Sequence, residues 1–249
     1  MRVLILSDLH ANLPASEAVM EDAAARGWDQ ALVLGDLVGY GADPEAVIDL
    51  VRALPNSTVI RGNHDKVAAG IDDPADFNHV ARQAAEWTAA RLDADRSDYL
   101  RALPRGPLSI AGLGIDVAIC HGAPFDEDHY IFDTGDASRA LDTSEAALIF
   151  CGHTHVQIAF REMADGGGRI VTPLDADTID AGGSVRTLVN PGSVGQPRDG
   201  DPRAAYAMFD TDTRTVQMHR VAYDIAEAQQ RIREAGLHPN LAERLSVGR

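Results

Sequence analysis

Along the N-terminal part of the chain, short apolar runs alternate with amphipathic stretches. Residues 2–7 read as a first strand. Across 14–26, Ala15, Ala18, Val19 and Ala23 fall at helical spacing, and Gly27 ends the segment. Residues 30–34 repeat the strand pattern. Asp43-Pro44 supplies an N-cap and a helix-compatible first residue for a helix reaching about 54, and 57–60 forms a third strand. This β-α-β-α-β opening predicts a parallel sheet whose C-terminal strand ends share one edge, where ligands bind. Residues 76–103 interrupt the strand pattern. Val80, Ala84 and Trp87 lie at i, i+4 and i+7, and a second helix is predicted over 95–103, so this helical insertion is expected to wall one side of a site.

From residue 108 the pattern changes to short strands, at 108–111, 115–119, 147–150, 156–161, 169–173, 185–189, 205–210 and 216–221. Turns are signalled at Gly112, Gly166-Gly167-Gly168, Gly182-Gly183 and Asp210-Thr211-Asp212-Thr213. This half is predicted to be mostly antiparallel, followed by a helix over 225–235. No repeat, linker or low-complexity stretch stands out, so residues 1–249 are expected to form a single domain, an α/β sandwich of two sheets flanked by helices.

Composition narrows the function. The chain has 249 residues, enough for one large core, with 45% hydrophobic and 24% charged residues, as in ordinary globular proteins. The net charge is −16 and no basic stripe is present, which disfavours a nucleic acid polymer as partner. A small phosphorylated substrate remains compatible, because divalent cations reverse the local sign. No apolar run approaches the roughly 20 residues of a membrane span, and the short start before Asp8 is no secretory core, so a cytoplasmic location is expected. Cys120 and Cys151 are expected to be buried free thiols.

Five polar clusters each follow an apolar run: Asp8-Leu9-His10, Gly35-Asp36, Gly62-Asn63-His64-Asp65, His121-Gly122 and Gly152-His153-Thr154-His155. Taken singly they have plain readings. Asp8 or Asp36 is a turn former, Asn63 a left-handed turn residue and His121 a strand-end histidine. Together they place metal-binding side chains at successive strand ends, and that joint occurrence favours a site. If 153–155 is extended, His153 and His155 share one face.

This ordered set resembles the calcineurin-like metallophosphoesterase family, whose pattern is D-x-H, G-D, G-N-H-E/D, H and G-H-x-H. The resemblance runs from Arg2 to the Asn190-Pro191-Gly192-Ser193 loop. Residues 7–12, 35–41 and 190–200 look like the small bacterial and archaeal phosphodiesterase-type members. It implies a four-layer α-β-β-α sandwich of two mixed sheets and a two-metal site. Asp36 would bridge the ions, with Asp8, His10 and His155 on one and Asn63, His121 and His153 on the other. Mixed nitrogen and oxygen donors suit two divalent ions of Mn, Fe, Zn, Ni or Co.

The expected reaction is phosphodiester hydrolysis by a metal-bridging hydroxide. Phosphomonoester hydrolysis, including protein phosphatase activity, and dinucleoside polyphosphate hydrolysis are the alternatives. An inactive scaffold of the same fold is the non-enzymatic one, against which the full ligand set argues. His64 is expected to serve the leaving oxygen, oriented by Asp65. Asn12 is a substrate contact or a turn former. Arg198 is a phosphate clamp or a surface ion pair with Asp199 or Asp201. Tyr40, His129 and Tyr130 are weaker pocket residues.

Overall fold

The computed structural model describes residues 1–249 except Gly166, Gly167, Asp175 and Ser184. The expected opening is present: β1 (Arg2–Leu6), α1 (Leu13–Arg26), β2 (Gln30–Val33), α2 (Pro44–Arg52) and β3 (Ser57–Val59). Next come α3 (Asn63–Ala68), α4 (His79–Ala89), α5 (Ala94–Ala102), β4 (Leu108–Ile110), β5 (Val117–Ile119), α6 (Thr134–Asp142) and β6 (Leu148–Phe150). The chain continues through β7 (Gln157–Asp165), β8 (Gly168–Leu174), β9 (Thr178–Asp180), β10 (Thr187–Pro191), β11 (Ala204–Asp210) and β12 (Thr215–Val221). It closes with α7 (Ile225–Glu234) and α8 (Pro239–Glu243). Part of the expected glycine turn at 166–168 lies outside the described residues. Among the described residues no helix is long and apolar enough to cross a membrane.

The strands form two six-stranded mixed sheets, β3-β2-β1-β11-β12-β9 and β4-β5-β6-β10-β7-β8. Alternation along β1 shows why the sheets stack. Val3 and Ile5 pack between the sheets with Ile119, Phe150 and Val189. Leu4 and Leu6 point the other way, against Val19 of α1 and Val47 and Ile48 of α2. On the far side of the second sheet, Ile149 and Leu188 meet Ala137, Ala140 and Leu141 of α6. Helix, sheet, sheet, helix is therefore the order of layers.

Besides β9, which the sequence reading did not foresee, two features depart from it. The second half is mostly antiparallel, as expected, but it also holds a parallel core, since β5 pairs parallel with β6 and β6 with β10. A parallel pair needs a crossover, and α6 supplies it. That helix is hard to read because its buried residues are mostly alanines. The Asn63-His64-Asp65 motif also opens the short helix α3 instead of ending in a loop. The parallel strands β1, β2, β5 and β6 carry the predicted ligand motifs just past their C-terminal ends.

Candidate metal centre

Asp8, His10, Asp36 and His155 bring one donor atom each to within 4.8 Å of one another. Asp36, His121 and His153 do the same in a second group, so Asp36 belongs to both. All six side chains are buried. Oδ2 of Asp36 lies 3.6 Å from Nε2 of His10 and 3.4 Å from Nε2 of His121. Oδ1 of Asp8 lies 3.4 Å from Nε2 of His155. Oδ1 of Asn63 stands 3.1 Å from Nε2 of His121, which brings Asn63 into the second group.

The local backbone aims these groups. Asp8, His10, Asp36, His153 and His155 all adopt positive φ, between 47° and 67°. Left-handed non-glycine residues are strained by about 1–3 kcal/mol each and cluster at functional sites. The 153–155 segment is therefore not extended, and its two imidazoles do not share a face. His155 joins Asp8 and His10, while His153 joins Asp36 and His121. Gly152 has to lack a side chain, since a Cβ there would lie 2.0 Å from Oγ of Ser7.

Each imidazole is held from behind by a carbonyl that can only accept a proton. His10 Nδ1 donates to Val38 O at 3.0 Å and His155 Nδ1 to Gln196 O at 2.6 Å. His121 Nδ1 donates to Leu34 O at 2.9 Å and His153 Nε2 to Asp128 O at 3.0 Å. Burial drives His10 and His155 well below the usual histidine range, so both rings are neutral. Their Nε2 atoms face each other at 3.0 Å, lone pair against lone pair. A shared cation satisfies such a pair, and backbone-anchored rings are how proteins fix metal-binding imidazoles.

His121 behaves differently. Burial lowers its pKa, but the Asp36 carboxylate outweighs burial and carries it up to about 10. The ring then holds the positive charge that a bound cation would supply at this point. Burial pushes Asp8 up to about 6, whereas Asp36 is drawn well below the carboxylate range because His121 and His64 overcome its burial. The carboxylate and imidazole donors thus fit a divalent metal site.

The model of the calcineurin-like phosphoesterase superfamily domain matches residues 1–214. The chain belongs to this superfamily. It is 41% identical to a metallophosphoesterase structure from Sphaerobacter thermophilus, with a TM-score of 0.86 and coverage of 100% of this chain and 99% of that one. An uncharacterized protein of Methanocaldococcus jannaschii is 35% identical, over 99% of this chain and 98% of its own. The phosphodiesterase YfcE of Escherichia coli is 24% identical, over 87% of this chain and 91% of its own.

In this phosphoesterase the remaining predicted residues divide. His64 lies beside the metal donors, its ring edge-on to His10 at 5.0 Å. Its Nδ1 is buried without a polar partner and packs against Gly39, where a Cβ would approach to 2.4 Å. That leaves Nε2 for a ligand in the adjoining cleft, which His64 helps to line. Asp65 does not orient this ring. Its carboxylate accepts from the backbone amides of Gly62 at 2.9 Å, Leu37 at 2.9 Å and Val38 at 3.3 Å.

Asn12 does not face the metal donors as a free contact either. Its oxygen caps α1 at Ala15 N, and its amide donates to Gly195 O at 2.8 Å. Arg198 is not a surface ion pair, because Asp199 pairs with Arg220 and Asp201 with Arg203. Its guanidinium lies 5.6 Å over the Tyr40 ring and its Nε is buried without a partner. The charge of Arg198 reaches Asp8, His10 and His155.

The sequence reading missed one residue and the partners of a turn it had placed near the site. Arg244, beyond the family-matched segment, stands near Arg198 and Tyr40, and burial followed by the Arg198 charge lowers its pKa. The Asn190–Ser193 loop holds the site in place. Asn190 donates to Gly152 O at 2.8 Å, and Ser193 Oγ donates to Asp8 O at 2.7 Å. An Asn-Pro-Gly-Ser turn in sequence carries no signal of those distant partners.

Proposed function

We propose that this chain is a phosphodiesterase that works with two divalent cations drawn from Mn, Fe, Zn, Ni or Co. Asp36 would be shared between the ions, with Asp8, His10 and His155 holding one and Asn63, His121 and His153 the other. The observation carrying this reading is the meeting of two donor groups at Asp36, with the neutral His10 and His155 nitrogens face to face. When bound, the ions supply charge opposite the phosphoryl oxygens and lower the pKa of water to about 7. The chain's own groups do the rest. His64 offers Nε2 to the leaving oxygen across the cleft, and Arg198 presents a planar donor fork to the phosphate. Buried walls keep bulk water from the donors, which strengthens every charge interaction there.

The diester preference rests on the relative named as a phosphodiesterase. The substrate is a small phosphorylated molecule, in keeping with a net charge of −16 that repels polyanionic chains. Metal analysis of the purified protein, then Mn-supported hydrolysis of bis-p-nitrophenyl phosphate against p-nitrophenyl phosphate, tests the reading. Faster cleavage of the diester is expected. Preference for the monoester would make it a phosphomonoesterase, and inactivity across all five metals would favour a scaffold.

A further inference from the structure

Beyond His64 the site opens into a cleft of about 260 Å³. Tyr40, Phe77 and Tyr130 make its aromatic walls, while Asp72, Asp73 and Asp128 line its outer part. No Lys or Arg is among the described lining residues. The nearby Lys66 ammonium is already neutralised, at 2.5 Å from Asp128 and 3.5 Å from Asp72. Tyr130 stacks on the ligand His153, with ring centroids 3.7 Å apart and planes at 17°. Phe132 stacks on Tyr130 at 5.2 Å and 10°. Tyr130 is 40% exposed and Phe132 63% exposed, and neither belongs to a core cluster. Tyr130 is thus sandwiched between His153 and Phe132, and the open face of the stack is that of Phe132, a platform without a structural occupant beside the cleft.

We propose that this platform receives a planar ring on the ester's organic group, and that this group carries no second phosphate. The class is a nucleoside or aryl phosphodiester. The inference rests on the phosphodiesterase reading above and deepens it. Stacking on exposed aromatics tolerates any planar ring, because every such ring has a π-face. Asp73, with the oxygens of Asp72 and Asp128 that Lys66 leaves open, can accept hydrogen bonds from ring amines and sugar hydroxyls, and the net negative charge of the outer cleft disfavours further phosphates. The described residues lining the outer cleft therefore offer a polyphosphate chain or a phosphorylated protein segment no free counter-charge.

Two esters with the same leaving group test this: p-nitrophenyl thymidine 5′-phosphate and p-nitrophenyl methyl phosphate, each with Mn. The expected kcat/KM ratio favours the thymidine ester by on the order of tenfold. Phe132→Ala should bring that ratio close to one, chiefly through KM. Saturation-transfer NMR with adenosine and the metal-stripped protein gives a readout independent of turnover, with base protons in contact that Phe132→Ala removes. A ratio near one in the unsubstituted protein, or one that Phe132→Ala leaves unchanged, would overturn the inference. So would faster cleavage of diadenosine tetraphosphate than of the thymidine ester. Failure to cleave either ester with any metal would instead bring down the phosphodiesterase reading itself.

Discussion

His64 shows how a residue can belong to a site without binding its metal. Its backbone N–H donates to Asp36 Oδ1 at 2.9 Å, while its ring turns away into the cleft. His64→Ala should therefore leave metal content unchanged while lowering kcat on an ester with a poor leaving group by about 100-fold or more. Elemental analysis beside steady-state kinetics decides it, and parallel loss of metal would make His64 a ligand. Asn12 makes the opposite case. Asn12→Ala should destabilise the fold by about 1–2 kcal/mol in urea unfolding, through loss of a helix cap and a buried hydrogen bond, with KM unmoved. A raised KM at unchanged stability would restore Asn12 as a substrate contact. The motif residues were legible because their chemical types are rare together. The duties of Asn12 and Asp65 were not, since Asn and Asp serve turns, caps and ligands equally well.

At the scale of elements, the site depends on how loops after different strands are tied together. Asp65, in the first turn of α3, accepts from Gly62 ahead of that helix and from Leu37 and Val38 beyond β2. One carboxylate thus joins the two segments that carry Asn63 and Asp36. Asp65→Asn turns one acceptor oxygen into a donor facing an N–H, and should cost about 1–3 kcal/mol of stability together with weaker metal retention. Chemical denaturation and metal titration would show it; a neutral result would mean the loops are held by other contacts. Strands β1 and β2 and helices α1, α2 and α4 were readable from periodicity, since each buries an apolar face, whereas β3 is only partly buried and α5 buries Leu100 alone. Helix α6 was not, because Ala137, Ala140 and Leu141 at i, i+3 and i+4 make a stripe that is short and mostly alanine, and the parallel order of β5, β6 and β10 went unread with it.

At the scale of the whole molecule, the buried site sets how stability depends on pH. His10, His64, His153 and His155 are pushed down by burial, His64 to about 4, so folding denies them protons that the unfolded chain takes up below about pH 6.5. Asp8 and Asp65 run the other way, since burial raises them to about 6 and about 7, and the folded chain keeps protons that the unfolded chain has released. His121, raised to about 10, keeps its proton in the folded chain throughout this range, and the unfolded chain matches it only as the pH falls well below 6.5. The surplus of protons on the unfolded chain therefore grows from below about one at pH 6.5 to about two near pH 5, and stability should fall on acidification by about 1–3 kcal/mol per pH unit. Urea midpoints of chelator-treated protein at pH 6.5 and 5.5 measure this, and a flat profile would sink it. At pH 7, a divalent ion at 100 times its Kd should add about 2.7 kcal/mol, and Asp36→Ala should abolish most of that gain. The sequence alone determined the donor types, their order and the strand ends that present them, because periodicity and residue chemistry are local properties. Only the tertiary structure decided that the 153–155 segment reaches its two donor groups through left-handed turns, that Arg198 faces the site, and that Arg244 and an aromatic platform border it. Those choices follow from left-handed turns and from the packing of two sheets, which bring residues more than a hundred positions apart within a few ångströms.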